Sequence, residues 1–93
     1  MYFDWDEGNI NHIIEEHHVQ PEETMEVLFN QPVHVTKEMK KGELRYRVVG
    51  CTDNDRILTV VFTIRGSKIH VVTAFDSGRK DIRKYQGRKG KNV

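Results

Sequence analysis

The residues best suited to chemistry lie in the last third of the chain. His70 to Lys91 reads HVVTAFDSGRKDIRKYQGRKGK: an apolar run ending at Ala74, a small polar break, then seven Lys/Arg against one Asp between Arg79 and Lys91. Guanidinium groups bind phosphate bidentately and keep their charge. Arg79 and Arg83 are four apart, which is one face of a helix, and Arg65 closes the preceding apolar segment. These three form a candidate phosphate-holding group. His70 titrates near neutral pH and Asp81 carries a carboxylate, so either could move a proton. Tyr85 offers a ring for stacking or a hydroxyl for orientation. The plain alternative has equal standing: a Lys/Arg-rich terminal helix as a solvated face, Arg79 and Asp81 in local pairs and a helix cap, and His70 as an ordinary strand residue.

Those residues need elements to position them. Asp6 is suited to cap a helix running through His18, in which Ile10, Ile13, Ile14 and His17 share one face. Pro21 suits the first position of a second helix, with Glu22 and Glu23 in its first turn and Met25, Leu28 and Phe29 as its apolar face. Asn30–Pro32 ends it. Residues 33–36 read as a short strand and 37–43 as a charged turn. Residues 44–51 alternate, with Leu44, Tyr46 and Val48 on one side and Arg45 and Arg47 on the other. Residues 57–64 are rich in β-branched side chains and look central in a sheet. A tight turn at 65–68 leads into a strand at 69–74. Asp76 or Ser77 can cap a last helix over roughly 77–86, followed by a basic tail over 86–93 that should fray. Tyr2–Trp5 could add an opening strand. The order predicts an α+β domain: two N-terminal helices, a meander of about four antiparallel strands and a short C-terminal helix.

Ninety-three residues suit a single domain, 1–93, with a modest core. No run of about 18 apolar residues exists to span a membrane, and the acidic N-terminus has no apolar stretch of a secretory signal. One cysteine, Cys51, excludes an internal disulfide and fits a reducing cytosol. It reads as a small buried hydrophobe. The net charge of +1 conceals an asymmetry. Residues 1–36 hold eight Asp/Glu and no Lys/Arg, whereas residues 37–93 hold fifteen Lys/Arg and six Asp/Glu, 15 minus 6 or +9. That points to an anionic partner for the basic part. It also argues against the first two helices as a DNA-reading helix-turn-helix. Five histidines raise metal binding as a rival. His12 and His17 are five apart, which misses the i, i+4 spacing of a helical zinc pair, and no metal site or cofactor is expected. His17, on the apolar face, reads as a core residue with its ring bonded to backbone; Trp5 reads as core too.

The order and spacing of these pieces resemble the BrnT-type toxin family, also known as the DUF497 domain. The opening carries Trp5, Asp6, Asn9, His12, Ile13, His17, Val19, Pro21, Glu22 and Glu23 in matching positions. The second part carries Arg45, Gly50, Arg56, Leu58, Val60, Val61, Phe62, Arg65, Thr73, Ala74, Arg79, Arg83 and Tyr85. The resemblance covers roughly residues 3–85. It implies a RelE-like fold, a metal-independent endoribonuclease and bacterial type II toxin–antitoxin biology in the cytoplasm. It also implies RNA as substrate, a ribbon-helix-helix antitoxin as partner, and operator DNA reached through that antitoxin. Three positions depart from the pattern. Phe75 stands where an active-site arginine is expected, His70 where an arginine opens the last strand, and Asp81 where the terminal helix has glutamate.

Metal-free RNA cleavage uses the 2′-hydroxyl as internal nucleophile, with a general base, a general acid and cations for the phosphorane charge. Arg65, Arg79 and Arg83 are expected to supply the cations, His70 or Asp81 the proton transfer, and Tyr85 the stacking. Arg45, Arg47, Phe75, Lys80, Lys84 and Arg88 are the expected RNA contacts. This reading requires Arg65, Arg79 and Arg83 to converge on one basic face. A second reading keeps the fold but not the chemistry: with Phe75 in place of arginine, the chain is an RNA- or protein-binding module or co-repressor.

Overall fold

The computed structural model describes the backbone of residues 2–91 and the side chains of residues 2–33 and 35–87. The elements run β1 (Tyr2–Asp4), α1 (Glu7–His17), α2 (Pro21–Phe29), β2 (Val33–Lys40), β3 (Glu43–Cys51), β4 (Ile57–Arg65), β5 (Lys68–Asp76) and α3 (Arg79–Lys91). The fold is α+β, as the pattern predicts. The five strands form one sheet in the order β1-β5-β4-β3-β2. β2 to β5 make the expected antiparallel meander, and β1 adds a short parallel strand beside the start of β5. No helix among the described residues is long and apolar enough to cross a membrane.

Local chemistry fixes the element ends. The Asp6 carboxylate accepts from the Gly8 and Asn9 amides at 2.8 and 3.3 Å and starts α1. His18, at φ +54°, turns the chain out of it. Pro21 opens α2, and the Glu23 side chain accepts from the Gln20 amide at 3.0 Å. The charged stretch 37–43 proves to be mostly strand. β2 continues to Lys40, and only Lys41 and Gly42 form the turn, both at positive φ (+51° and +79°). Two such residues make the primed two-residue turn whose twist matches a hairpin. Residues 36–40 are all exposed, so no apolar alternation marks them as strand in the sequence. α3 likewise runs to Lys91, past the expected end near residue 86.

The two sheet faces are covered unequally. Side chains alternate across a strand, so Val48 of β3, Leu58 and Val60 of β4 and Ala74 of β5 share one face. They pack on Ile13, Val19 and Val27 of α1, its exit and α2, all fully buried. Gly50 lets α2 approach: a Cβ there would lie 3.0 Å from both Pro32 Cβ and Val27 Cγ1. The opposite face carries Arg45, Arg47, Val49, Thr59, Val61, Thr63 and Arg65. α3 crosses only the end of it nearest Cys51, where Tyr85 is buried, and leaves the remainder of that face without a helix.

Candidate nucleic-acid interface

Between the first turn of α3 and strands β2 and β3 lies a groove of ≈ 480 Å³. Arg47, Arg79, Lys80 and Lys84 line it, with Asp81 and the ring of Phe75. Four cations against one carboxylate leave +3 in this groove. Its electrostatics are costly to the free protein. Arg79 and Lys80 occupy the first turn of α3, the positive end of the helix dipole, where cations are unfavourable by about 0.3–1 kcal/mol each. An anion in the groove would relieve both terms, because helix N-termini bind phosphate through free amides.

Asp81 is the fixed point of the site. Its side chain is 8% exposed, and Oδ2 accepts from Arg47 Nη2 at 2.6 Å. The same oxygen accepts from Thr59 Oγ1 at 3.3 Å, and Thr59 in turn shares a 2.7 Å hydroxyl contact with Ser77. This chain ties the start of α3 to β3 and β4. It engages one terminal nitrogen of Arg47, while Arg47 Nε is buried without a partner. Two residues along β3, Arg45 Nε is buried and unpartnered as well. Asp81 therefore orients Arg47 from within the groove.

The remaining expected site residues scatter. Arg65 makes a bidentate pair with Glu43, Nε to Oε2 at 2.8 Å and Nη2 to Oε1 at 3.1 Å. Each partner raises the charged state of the other: the Glu43 carboxyl is held below its usual range and the Arg65 guanidinium is raised. Six residues of strand separate Arg65 from Thr59, about 20 Å, so Arg65 does not join Arg79. Arg83 is exposed on α3 but does not line the groove; Lys80 and Lys84 are the i, i+4 pair that does. His70 is 5% exposed. Its Nε2 lies 3.3 Å from Asn9 Nδ2, and its Nδ1 lies 3.6 Å from Asp4 Oδ2. It is five residues, about 17 Å of strand, from Phe75. Tyr85 packs beneath α3, and its hydroxyl donates to Cys51 Sγ at 3.3 Å. That bond, with burial, pushes the phenol up to about 12. The Arg88 side chain lies outside the described residues. Among the described residues no group of three or more His, Cys, Asp or Glu is gathered as metal ligands.

Sequence reasoning missed the residues that seat α1 beside this groove. Asn9 Nδ2 donates to the Val71 carbonyl at 3.2 Å. Arg56 donates to the His18 and His17 carbonyls at 2.8 and 3.3 Å, to Glu23 at 3.1 Å and to both oxygens of Asp76 at 2.8 and 3.1 Å. Arg56 thus joins the exit of α1 and the start of α2 to the end of β5. The Asp76 carboxyl is held below its usual range mainly by Arg56. His17, expected in the core, is half-buried with its ring tilted against Phe75, centroids 5.7 Å apart. Trp5 is partly buried and stacks on Phe3 at 6.0 Å. An arginine in strand-turn context gives no sequence signal of a four-way tie, because its partners are distant in the chain.

Residues 5–81 match the model of a family described as the ribonuclease toxin, BrnT, of type II toxin-antitoxin systems. The chain belongs to this family. Its fold is also similar to that of the Brucella abortus ribonuclease toxin BrnT, solved by crystallography. The TM-score is 0.62 at 20% identity, over 85% of this chain and 99% of that one. At that identity the likeness speaks for the fold. No curated protein matches the sequence. Membership in the BrnT family makes the chain a ribonuclease toxin of a toxin–antitoxin system, with an antitoxin as its partner. In this BrnT-type chain the four-cation groove is the strongest candidate for the place where RNA is held.

Proposed function

We propose that the chain cleaves RNA internally and without a metal ion, with the phosphodiester held in the groove of Arg47, Arg79, Lys80 and Lys84. The convergence of those four cations on one groove carries this reading. Arg47 is pre-oriented by Asp81, and preorganised cations stabilise charge that develops on a phosphorane. The 2′-hydroxyl gives up its proton to water as its oxygen attacks the adjacent phosphorus, the bond to the 5′-oxygen breaks as that oxygen takes a proton from water, and a 2′,3′-cyclic phosphate forms. Phe75 supplies a ring against which a base can stack. Arg45 and Arg83 extend the positive field along the RNA, and Arg65 is held by Glu43 outside the site. A ribbon-helix-helix antitoxin neutralises the toxin in the cytoplasm, and the pair reaches operator DNA through that antitoxin.

A second reading, a binding member without catalysis, is favoured by one observation. Phe75 sits in the groove where the family pattern has arginine, while His70 does not line the groove and Asp81 is bonded to Arg47. Incubation of RNA with the purified chain in EDTA separates the two. Cleavage by the natural chain that is lost in Lys80→Ala/Lys84→Ala supports the nuclease. Absence of cleavage with retained RNA binding, and cleavage gained by Phe75→Arg, supports the binding reading.

A further inference from the structure

The groove has an aromatic wall that continues beyond Phe75 onto α1. His17 meets Phe75 at 5.7 Å between centroids, tilted by 52°. His12 meets His17 edge-on at 4.9 Å and 81°. The three rings form a row from Phe75, which lines the cationic groove, to the exposed His12. His12 is exposed, and His17 and Phe75 are half-buried, so each ring keeps accessible surface. Among the described residues, no hydrogen bond or ion pair engages a ring nitrogen of His12 or His17.

The row is also held in place. Arg56 grips the His17 and His18 carbonyls with one end of its guanidinium and the Asp76 carboxylate, next to Phe75, with the other. Asn9 fixes the opposite end of α1 to the Val71 carbonyl. The His17 backbone is therefore held beside the end of β5 by a four-partner tie. Stacking platforms for single-stranded nucleic acid combine such rings with cations that follow the backbone.

We propose that His12 and His17 form, with Phe75, a platform for an unpaired nucleobase adjacent to the phosphate held by the groove. Phe75 gives the stacking face, and the imidazole nitrogens contact the base edge. This rests on the groove being an RNA site. Duplex RNA is disfavoured, since its bases are stacked on each other and present no free face.

The test is fluorescence anisotropy on the full chain with a labelled ten-nucleotide 2′-O-methyl RNA, which lacks the nucleophile and cannot be cleaved. An abasic strand of the same length serves as comparison. Base stacking contributes about 1–3 kcal/mol per base, so the natural chain should bind the base-bearing strand about 5- to 150-fold more tightly. His12→Ala/His17→Ala should lower that ratio toward unity and leave affinity for the abasic strand unchanged. His12→Ala alone, at an exposed position, covers the case in which His17→Ala impairs folding. Lys80→Ala/Lys84→Ala should weaken both strands together. A ratio untouched by the histidine substitutions overturns the platform. A ratio near unity in the natural chain, with both strands weakened by the lysine changes, overturns the platform and leaves the RNA groove standing. Binding of neither strand removes the groove reading and the platform with it.

Discussion

Arg47 on β3 and Arg65 on β4 project from the same sheet face, each beside a carboxylate, and their surroundings give them different uses. Glu43 meets Arg65 with both oxygens, satisfying the Nε and Nη2 sides of the guanidinium on an exposed surface. Asp81 meets Arg47 with one oxygen in a nearly buried position and leaves Nε without a partner. The first arrangement consumes the cation; the second positions it and leaves donors over. The two ends of the face are thus distinguished by what each arginine is already bound to, since the number of arginines does not separate them.

Substitution should expose the contrast. Arg47→Ala leaves the Asp81 carboxylate buried without its cation, an arrangement that costs roughly 3 kcal/mol. For a domain of this size that lowers the melting temperature by more than about 10 °C. Arg65→Ala removes an exposed pair and should cost about 0–1 kcal/mol, a shift of a few degrees. RNA binding should fall sharply only in the first variant. Thermal melts by circular dichroism, paired with RNA anisotropy, would break the comparison if the two variants proved equally costly.

Within the groove the next effect is smaller and has a telling sign. Lys80→Ala removes a cation from the positive end of α3 and should stabilise the chain by about 0.3–1 kcal/mol while weakening RNA binding. Lys80→Ala/Lys84→Ala should flatten the logarithmic salt dependence of single-strand binding by about 1.4, at about 0.7 per phosphate contact. Arg83→Ala, outside the groove, should change that slope by less. Stability gained together with affinity lost marks a cation kept for binding; loss of both would assign Lys80 to structure.

Much of this was legible in the sequence, for reasons that particular residues make plain. Asp6, Pro21 and the alternation from Leu44 to Val48 act locally, so the helices and the central strands were readable. The basic character of α3 was readable too, and Arg47, Phe75, Arg79, Lys80 and Lys84, all singled out in the sequence, line one groove. Which charges were free was not, because that depends on partners far along the chain: Glu43 is 22 residues from Arg65, and Asp81 is 34 from Arg47. Tyr85 and His70 look reactive in sequence, and the structure places them in hydrogen-bond contact with Cys51 and Asn9, neither of them lining the groove. His17 failed in the other direction. Its place on the apolar face of α1 suggested the core, but α1 runs beside β5 and brings the ring to Phe75.

Tyr85 and Asp76 extend the comparison to pH, and from opposite sides. The Tyr85 phenol is raised to about 12 from an ordinary 10.0. Between those values the unfolded chain has lost the proton that the folded chain retains. Stability is therefore complete below about pH 10 and falls as pH rises toward 12. In Tyr85→Phe this alkaline loss should be absent from melts taken at pH 9 and pH 11, and the slowest-ionising tyrosine should vanish from the ultraviolet titration.

Asp76 gives the smallest effect. Its carboxyl lies below the ordinary 3.8 because Arg56 binds both oxygens. A depressed acid stabilises the fold above its unfolded value and stops doing so as pH falls through the folded one. The tie between α1 and β5 should thus loosen below about pH 4. The Asp76 side chain is 67% exposed, so solvent screening limits the contribution to a few tenths of a kcal/mol. Asp76→Asn should remove that acid-dependent portion while Arg56 keeps Glu23 and the His17 and His18 carbonyls. Amide exchange at the end of α1, compared at pH 3.5 and pH 5.5 after correction for intrinsic rates, is the sensitive readout. A loss of protection confined to α1 and absent from α3 would show that the groove has two walls held by separate locks, Arg56 on one side and Asp81 on the other. Equal loss in both helices would mean that acid loosens the sheet as a whole and that Asp76 has no particular hold on the histidines.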